Sequence, residues 1–362
     1  MASEEEKLKA IRERIDQIDE DIQRLINERA GQAQEVARVK LEAGSEAQFY
    51  RPEREAQVLR TVRDRNAGPL GAEEMARLFR EIMSACLALE QPMKIAFLGP
   101  EGTYTQAAAL KHFGHAVTTV PLAGVDEVFR EVEAGSCHYG VVPVENSTEG
   151  VVTHTLDRFL VSSLVVCGEV ELRIHHQLQS KDAALCDIHR VYSHQQSLGQ
   201  CREWLDANLP TVERVAVSSN AEAARLAAQE VGAAAIASET AAEIYELNIL
   251  AASIEDEPEN TTRFLIIGKN GTLASGEDKT SLLLSTRNEP GALFRLIEPF
   301  ESHNISMSRI ESRPSRRATW DYVFFIDING HIDDEPVAQA LEELKKETTL
   351  LKVLGSYPKA VL

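Results

Sequence analysis

The sequence predicts a multidomain chain with three fold classes in succession. It comprises an all-α helical domain at residues 1–92, a two-lobed α/β domain at residues 93–270 and an α+β domain at residues 279–362. In the first part, apolar residues recur at three- and four-residue steps, which is typical of amphipathic helices. In the second part, short apolar runs alternate with helical patterns, as in α/β domains. After the polar linker 269–279, the order strand, helix, strand, strand, helix, strand predicts a βαββαβ plait.

Composition and charge exclude several classes of function. The chain of 362 residues has a formal net charge of −19, which argues against a nucleic-acid or anionic-membrane partner. No apolar run of about 18 residues is present, so we expect no membrane-spanning helix. The five cysteines form no C-x-x-C pair, which fits reduced thiols in a cytoplasmic protein. His175 and His176 are adjacent rather than spaced for one helical face, and we expect no metal and no cofactor.

The helical domain carries one apolar stripe that is longer than its local partners. We expect a first helix of about 35 residues, followed by shorter helices at Arg54–Arg65 and Glu73–Glu90. The stripe consists of Ile11, Ile15, Ile18, Ile22, Leu25 and Ile26. Because two short helices cannot cover it, we expect a second copy of the chain, in a homodimer or a higher homo-oligomer.

Basic residues on the first helix form a candidate anion site. Arg29 and Lys40 are eleven residues apart, which at ~100° per residue places them within about 20° of one face. They are separated by roughly 16 Å along the axis, which leaves space for a small dianion between two long side chains. Arg12 lies about 100° around the helix from Arg29 and could serve the pocket of a partner chain. The alternative interpretation is a solvated charged face.

These charges occur within motifs that resemble the all-helical type of chorismate mutase. The motifs are IRERIDQIDEDIQRLINER, EVARVK, FYRPERE and RLFREIMSACLALEQ. The resemblance implies a rearrangement of chorismate to prephenate that needs no acid, base or cofactor, only a compact substrate and a stabilised ether oxygen. Lys40 is then the catalytic donor to that oxygen. The pocket residues implied are Arg12 from the partner chain, Arg29, Lys40, Arg54, Glu55, Cys86 and Glu90.

Glu90 departs from the pattern of the mutase family in a way that has a chemical consequence. A glutamine is found at this position in the best-known member, as a second donor to the ether oxygen. A carboxylate cannot donate a hydrogen bond, so Glu90 must be protonated to take this catalytic role. We therefore expect mutase turnover to decline as pH rises through the pKa of Glu90.

Polar residues lie at the ends of four predicted strands of the two-lobed domain. The strand FLII begins within NTTRFLIIG (260–268), and similar polar strand ends occur in GPEGTYT (99–105), VPVENSTEG (142–150) and YSHQQSLGQC (192–201). Each could be an ordinary polar turn or strand end. Four of them bearing hydroxyls and amides are better explained by one shared crevice.

In this order the four motifs resemble prephenate dehydratase, with a match from Lys94 to Gly268. The fold implied is that of the two-lobed, type-II periplasmic binding proteins, and the reaction implied is loss of carbon dioxide and water from prephenate. The resemblance makes Thr262 the hydroxyl donor to the leaving group, and Arg263 a ligand of a substrate carboxylate. The other substrate-binding residues implied are Thr103, Glu145, Asn146, Ser147, Ser193 and Gln196.

The last domain carries a candidate effector site. EPGALF (289–294) opens a helix with a glycine, where backbone N–H groups can meet a carboxylate. GALF followed by ESRP resembles the ACT regulatory domain, which binds phenylalanine between subunits; the alternative is a purely structural plait. The ligand residues implied are Gly291, Ala292, Leu293, Glu311, Ser312 and Arg313.

Together the three resemblances predict a bifunctional enzyme of phenylalanine biosynthesis. It would convert chorismate to prephenate and prephenate to phenylpyruvate, with L-phenylalanine as allosteric inhibitor. Two alternatives stay open at this point. One is an amino-acid sensor without catalysis, and the other is a dehydratase whose helical domain is a dimerisation arm with weak mutase activity.

Overall fold

The computed structural model describes residues 3–42, 50–182, 184–287, 289–314 and 322–362. Within these ranges no helix combines the length and the apolar character that crossing a membrane requires. The three predicted fold classes follow one another along the chain, as expected.

The helical domain consists of α1 (Glu4–Glu42), α2 (Pro52–Arg65) and α3 (Ala72–Glu90). Proline at the first position of α2 suits a helix start, because its missing N–H needs no partner there. Both α1 and α2 pack on α3, and Ala37 is the buried residue of α1. The predicted apolar stripe of α1 stays uncovered within the chain: its members from Ile11 to Leu25 are between 42% and 56% exposed.

The two-lobed domain alternates strands and helices. Its strands are β1 (Lys94–Leu98), β2 (Thr118–Leu122), β3 (Tyr139–Asn146), β4 (Gly150–Val151), β5 (Val165–Arg173), β6 (Gln177–Ser180), β7 (Arg190–His194), β8 (Glu213–Val217), β9 (Ala233–Ala237), β10 (Asn248–Ala251) and β11 (Thr261–Gly268). Its helices are α4 (Tyr104–Phe113), α5 (Val125–Ala134), α6 (Thr153–Phe159), α7 (Gln195–Gln200), α8 (Arg202–Asn208), α9 (Asn220–Ala227) and α10 (Glu239–Tyr245).

Each lobe is built on its own sheet. The first has the order β2-β1-β3-β11-β5, with β4 beside β3, and the second has the order β10-β6-β9-β7-β8. As predicted, the chain crosses between lobes after β5, and it returns before β11. The sheets are mixed rather than largely parallel, because β5, β6, β10 and β11 pair antiparallel. A strand that arrives from the other lobe enters its sheet from the opposite end.

The C-terminal domain is the predicted βαββαβ plait. Its elements are β12 (Asp278–Ser285), α11 (Ala292–Ser302), β13 (Met307–Pro314), β14 (Tyr322–Asn329), α12 (Glu335–Glu347) and β15 (Leu350–Pro358), with the strand order β13-β14-β12-β15. One face of the sheet packs on its two helices through residues such as Leu282 and Ile326. The other face joins the core of the first lobe, where Leu283 and Phe325 share a cluster with Val142. The plait is therefore docked directly on the two-lobed domain.

Candidate active sites

A cleft of about 680 Å³ lies between the two lobes, at the ends of strands from both sheets. Its lining includes the predicted substrate-binding residues Thr103, Asn146 and Thr262, and Gln196 lies across from them on α7. Thr103 also caps α4, because its hydroxyl accepts a hydrogen bond from the backbone N–H of Gln106. The structure thus brings four predicted dehydratase residues to one cavity.

The amide of Asn146 sets the direction of the hydrogen bond at Thr262. The backbone N–H groups of Thr148 and Glu149 donate to Asn146 Oδ1 at 3.0 and 2.9 Å, which fixes the orientation of the amide. Asn146 Nδ2 therefore donates, at 2.8 Å each, to Thr262 Oγ1 and to Asn260 Oδ1. Among the described residues the Thr262 hydroxyl donates to no other group, so its hydrogen is available to the cleft.

The cleft continues into the crossover between lobes through a chain of hydrogen bonds. His176 Nε2 lies 2.8 Å from Gln200 Oε1, and Tyr104 OH lies 2.8 Å from His176 Nδ1. Burial lowers the pKa of His176, so the imidazole is neutral and accepts at one nitrogen while it donates at the other. Glu149 of the first lobe accepts from Gln196 at 3.2 Å and from Gln200 at 3.3 Å, which links the two walls of the cleft.

The helical domain brings a second group of charged side chains together near the end of α3, which forms the candidate mutase pocket. Burial raises the pKa of Glu90, while the nearby charges of Lys40 and Arg29 on α1 lower it in part. Both basic side chains are half-buried, and Cys86, one turn before Glu90, is 3% exposed. Arg12 is exposed, and since α1 is continuous it lies about 26 Å from Arg29 along the helix axis. Arg12 therefore cannot reach this pocket in its own chain.

Comparison with known proteins assigns the chain to one family. Family models match three consecutive parts of the chain: Chorismate mutase type II at residues 11–91, Prephenate dehydratase at 95–272 and ACT domain at 280–346. A bifunctional chorismate mutase/prephenate dehydratase of Stutzerimonas stutzeri is 60% identical over 99% of this chain and 100% of the relative. The chain belongs to the family of bifunctional chorismate mutase/prephenate dehydratases.

Further relatives agree with this family. A bifunctional chorismate mutase/prephenate dehydratase of Pseudomonas aeruginosa is 58% identical over 99% of this chain and 100% of the relative. Among solved structures, prephenate dehydratase of Arthrobacter aurescens in complex with L-Phe superposes with a TM-score of 0.68 and 36% identity, over 73% of this chain and 89% of that one. The chain is accordingly an enzyme with a mutase part and a dehydratase part, and the alternative of a sensor without catalysis is set aside.

Two predicted dehydratase ligands point away from the cleft, and their assignment is corrected. Arg263 follows Thr262 on β11, so their side chains lie on opposite faces of the sheet. Its guanidinium lies 2.9 Å from Glu169, 2.6 Å from Asp327 and 3.0 Å from the Tyr357 hydroxyl, on the face that carries the C-terminal domain. Glu145, beside Arg263 on β3, forms an ion pair with Arg309 of β13 at 2.9 Å.

Two predicted serines, Ser193 and Ser147, do not line the cleft but form hydrogen bonds to groups beside it. Ser193 is fully buried, and the single hydrogen of its hydroxyl is shared between Asn220 Oδ1 at 3.0 Å and the carbonyl oxygen of Ile236 at 2.9 Å. Asn220, not Ser193, lines the cleft. Ser147 Oγ accepts from the backbone N–H of Thr261 at 3.0 Å and so fastens the start of β11.

Glu55 of α2 also lies elsewhere than expected. Its carboxylate pairs with Arg80 at 3.4 Å, and both side chains are at most 15% exposed. Burial raises the pKa of Glu55, while Arg80 lowers it in part. It faces His112 of the two-lobed domain across a small cavity, not the pocket of Arg29 and Glu90. Arg54, its neighbour, is exposed.

The predicted effector residues occupy two different places. Gly291 adopts a left-handed conformation with φ 79° at the start of α11, where Ala292 begins the helix and Leu293 is 45% exposed. On β13, Ser312 is exposed, whereas Arg313 pairs with Asp157 of α6 at 2.9 Å. Glu311 shares the sheet face of Arg313, since alternate residues of a strand do so. The structure therefore directs Arg313 to the two-lobed domain rather than to a free effector pocket.

Several cleft residues were not predicted from the sequence. They are Tyr104, His176, Gln200, Asn220 and Asn260. Asn260 stands directly before Thr261 in the NTTRF motif, and Gln200 ends the YSHQQSLGQ run, so both were within reach of the strand-end argument. To predict that His176 and Asn220 line the cleft, one would need to know the path of the chain between the lobes.

Proposed function

We propose that this enzyme dehydrates and decarboxylates prephenate in the cleft, with Thr262 as the hydroxyl donor to the departing hydroxide. The observation that carries this role is the hydrogen bond from Asn146 Nδ2 to Thr262 Oγ1 at 2.8 Å. It occupies the oxygen as an acceptor and leaves the hydrogen for the substrate. A donor near the leaving oxygen reduces the charge that develops there as the C–O bond breaks. Thr103, Gln196, Asn220 and Asn260 would orient the substrate.

For the first reaction we propose that the pocket of Arg29, Lys40 and Glu90 holds chorismate. Two cations on one face of the C-terminal half of α1 match the two carboxylates of the substrate, and they hold it in the compact conformer that the rearrangement requires. Lys40 donates to the ether oxygen, with protonated Glu90 as the second donor. The raised pKa of Glu90 supports this, because it extends the pH range in which the carboxyl group carries its proton.

We further propose that the mutase site is completed in a homodimer. The apolar stripe of α1 is about half exposed along its length within one chain, and a second copy of the helix is the surface that covers it with matching spacing. The long continuous α1 places Arg12 far from its own pocket, so Arg12 of the partner subunit would complete the ligand set.

Phenylalanine is the proposed feedback inhibitor, bound by the C-terminal domain near Gly291. The relative from Arthrobacter aurescens, which includes this part of the fold, was solved with L-Phe. The left-handed Gly291 opens the first turn of α11 to a carboxylate. The cytoplasm is the proposed compartment, since the five cysteines are all free thiols.

A product time course from chorismate tests both catalytic assignments at once. We expect Thr262→Ala to accumulate prephenate, and Arg29→Ala to leave chorismate unconsumed while it still converts added prephenate. Thr262→Ser, which keeps the hydroxyl, serves as the matched control and should retain dehydratase activity. If Thr262→Ala converts prephenate as fast as the unaltered enzyme, Thr262 is not the donor.

A further inference from the structure

The contact between the two-lobed and C-terminal domains contains a buried network of charges that neither reaction uses. Arg263 lies between Glu169 of β5 and Asp327 of β14, and its side chain is 12% exposed. Lys279 of β12 pairs with Glu169 at 2.7 Å, and Ser281 donates to Asp327. Three cations, Arg263, Lys279 and Arg309, thus face three anions, Glu145, Glu169 and Asp327; Glu145, at the edge of the network, is 39% exposed, and the other five side chains are at most 16% exposed.

This network is costly to bury. Two ions lose their hydration when a pair enters the protein interior, and a well-packed apolar contact would hold two domains together as well or better. A charge network differs from an apolar contact in its geometric specificity. Paired charges with defined hydrogen bonds specify one arrangement of the elements that carry them. The network therefore constrains where β11 and β3 stand relative to the plait.

The residues of the network are next to those of the catalytic cleft on the same two strands. On β11, Thr262 faces the cleft and Arg263 faces the plait. On β3, Asn146 faces the cleft and Glu145 faces the plait. In the register of the two antiparallel strands, Thr262 lies opposite Asn146 and Arg263 lies opposite Glu145. Any displacement of the plait against Arg263 and Glu145 thus acts on the two strand ends that fix the Asn146–Thr262 hydrogen bond.

The strand that carries the predicted effector motif makes these contacts. Arg309 of β13 pairs with Glu145, and Arg313, four residues later, pairs with Asp157 of α6 and donates to the carbonyl of Thr153, a cleft residue. Arg309 Nη2 is buried and has no hydrogen-bond partner among the described residues. An unsatisfied buried donor destabilises the present arrangement relative to one that gives it an acceptor.

We propose that Arg263 and Glu145 are positioning residues, through which the C-terminal domain controls the geometry of Thr262 and Asn146. Arg263 touches no substrate. The inference rests on the proposed dehydratase function, and it states which residues connect that site to its regulator. It assigns the arginine beside the catalytic threonine to regulation rather than to substrate binding.

Steady-state kinetics on prephenate separates the two roles of Arg263. The variants are Arg263→Gln, Asp327→Asn and the double variant; Asp327 lies on the plait, so it cannot bind substrate. If Arg263 positions Thr262, each single variant lowers kcat by about tenfold or more with KM changed less than about threefold. The double variant then loses no more than Arg263→Gln alone, because both changes break one interaction. The phenylalanine concentration for half-inhibition rises by about tenfold in each.

Controls keep the result interpretable. Arg190→Gln removes another arginine that lies between two carboxylates and a tyrosine hydroxyl, in the second lobe away from the plait, and should leave kcat and inhibition unchanged. Tyr357→Phe removes only the hydroxyl 3.0 Å from Arg263 and provides a milder variant if the charge substitutions do not fold. Conversion of chorismate by the helical domain of the same chain reports on folding.

Two outcomes overturn the inference. One is an Arg263→Gln enzyme whose KM rises about tenfold or more while Asp327→Asn is silent, which is the behaviour of a substrate-carboxylate ligand. The other is an Arg263→Gln enzyme that behaves like Arg190→Gln. Failure of the proposed function differs from both, because the unaltered protein would then leave prephenate unconverted.

Discussion

The direction of one hydrogen bond decides whether Thr262 can act as a donor. Asn146 presents its amide nitrogen to Thr262 only because two backbone N–H groups hold its oxygen on the other side. A threonine hydroxyl has a pKa far above neutrality, so it contributes as a placed hydrogen-bond donor rather than as a strong acid. We therefore expect the dehydratase reaction to depend on the chemical identity of position 146 as well as on Thr262.

Asn146→Asp tests this dependence with almost no change in shape. A carboxylate accepts a hydrogen bond from Thr262 instead of donating one, which turns the hydroxyl hydrogen away from the cleft. We expect kcat for prephenate to fall roughly 100-fold with a small change in KM. Asn208→Asp, on the exposed end of α8, is the matched control. A kcat equal to that of the control would show that the polarity of this hydrogen bond is unimportant.

We expect Glu90 to make the mutase reaction sensitive to pH. Burial is the largest influence on its carboxyl group and raises the pKa. The protonated form, which donates to the ether oxygen, prevails below that pKa, and the carboxylate, which cannot donate, prevails above it. We expect mutase kcat to decline as pH rises through this value, whereas Glu90→Gln should have a flat profile. A flat profile for the unaltered enzyme between about pH 5 and 8 would contradict the assignment.

At the scale of secondary structure, the approach of β15 to β5 joins the plait to the first lobe. A Cβ at Gly355 would lie 2.1 Å from the carbonyl oxygen of Val166, so only glycine permits the two strands to come this close. The neighbouring Leu354 and Tyr357 belong to the hydrophobic cluster that the plait shares with the first lobe. Close packing of this kind is what lets a buried charge network form at defined distances.

Gly355→Ala should separate these strands. Because the atoms that the new methyl group meets belong to the backbone, relief requires the domains to move apart, and we expect a loss of about 2 kcal/mol in the free energy of unfolding. Inhibition by phenylalanine should weaken in parallel. Gly271→Ala is the control, since its Cβ would meet nothing within 4 Å. Equal melting temperatures for the two variants would refute this account of the contact.

For the whole molecule, the length of α1 supports the proposal that the mutase site is completed by a second chain. Its 39 residues extend past the two helices available to cover it, and its isoleucine stripe faces solvent in one copy. Apolar side chains spaced along one long helix gain most from an equally long partner. Dimerisation and the first reaction are therefore expected to fail together.

Ile22→Lys places a charge in the middle of this stripe. We expect a shift toward monomers in sedimentation experiments and a loss of mutase activity, because Arg12 of the partner subunit is then missing from the pocket. Turnover of added prephenate should be retained, since no residue of α1 lines the cleft between the lobes. Gln17→Lys adds the same charge on the opposite side of α1 and should change neither property. A monomeric variant with full mutase activity would exclude a shared site.

Strand alternation shows how much of the dehydratase site could be predicted from the sequence. The sequence predicted a strand through Phe264 and Ile267 and placed Thr262 at its end, which the structure confirms. Alternation alone already implied that Thr262 and Arg263 face opposite sides. It could not reveal that the second side is covered, because Asp327 and Tyr357 lie more than sixty residues away along the chain.

The sequence by itself determined the three fold classes, the order of their elements and the motifs at the strand ends. Periodicity and turn chemistry are local properties, and they act over a few residues. Only the tertiary structure decided which polar residues share a cavity and which connect domains. It places Arg263, Glu145 and Arg313 in the contact between the two-lobed domain and the plait, and it places His176 and Asn220 at the cleft. These assignments depend on which surface covers each face, and long-range packing of the whole chain sets that.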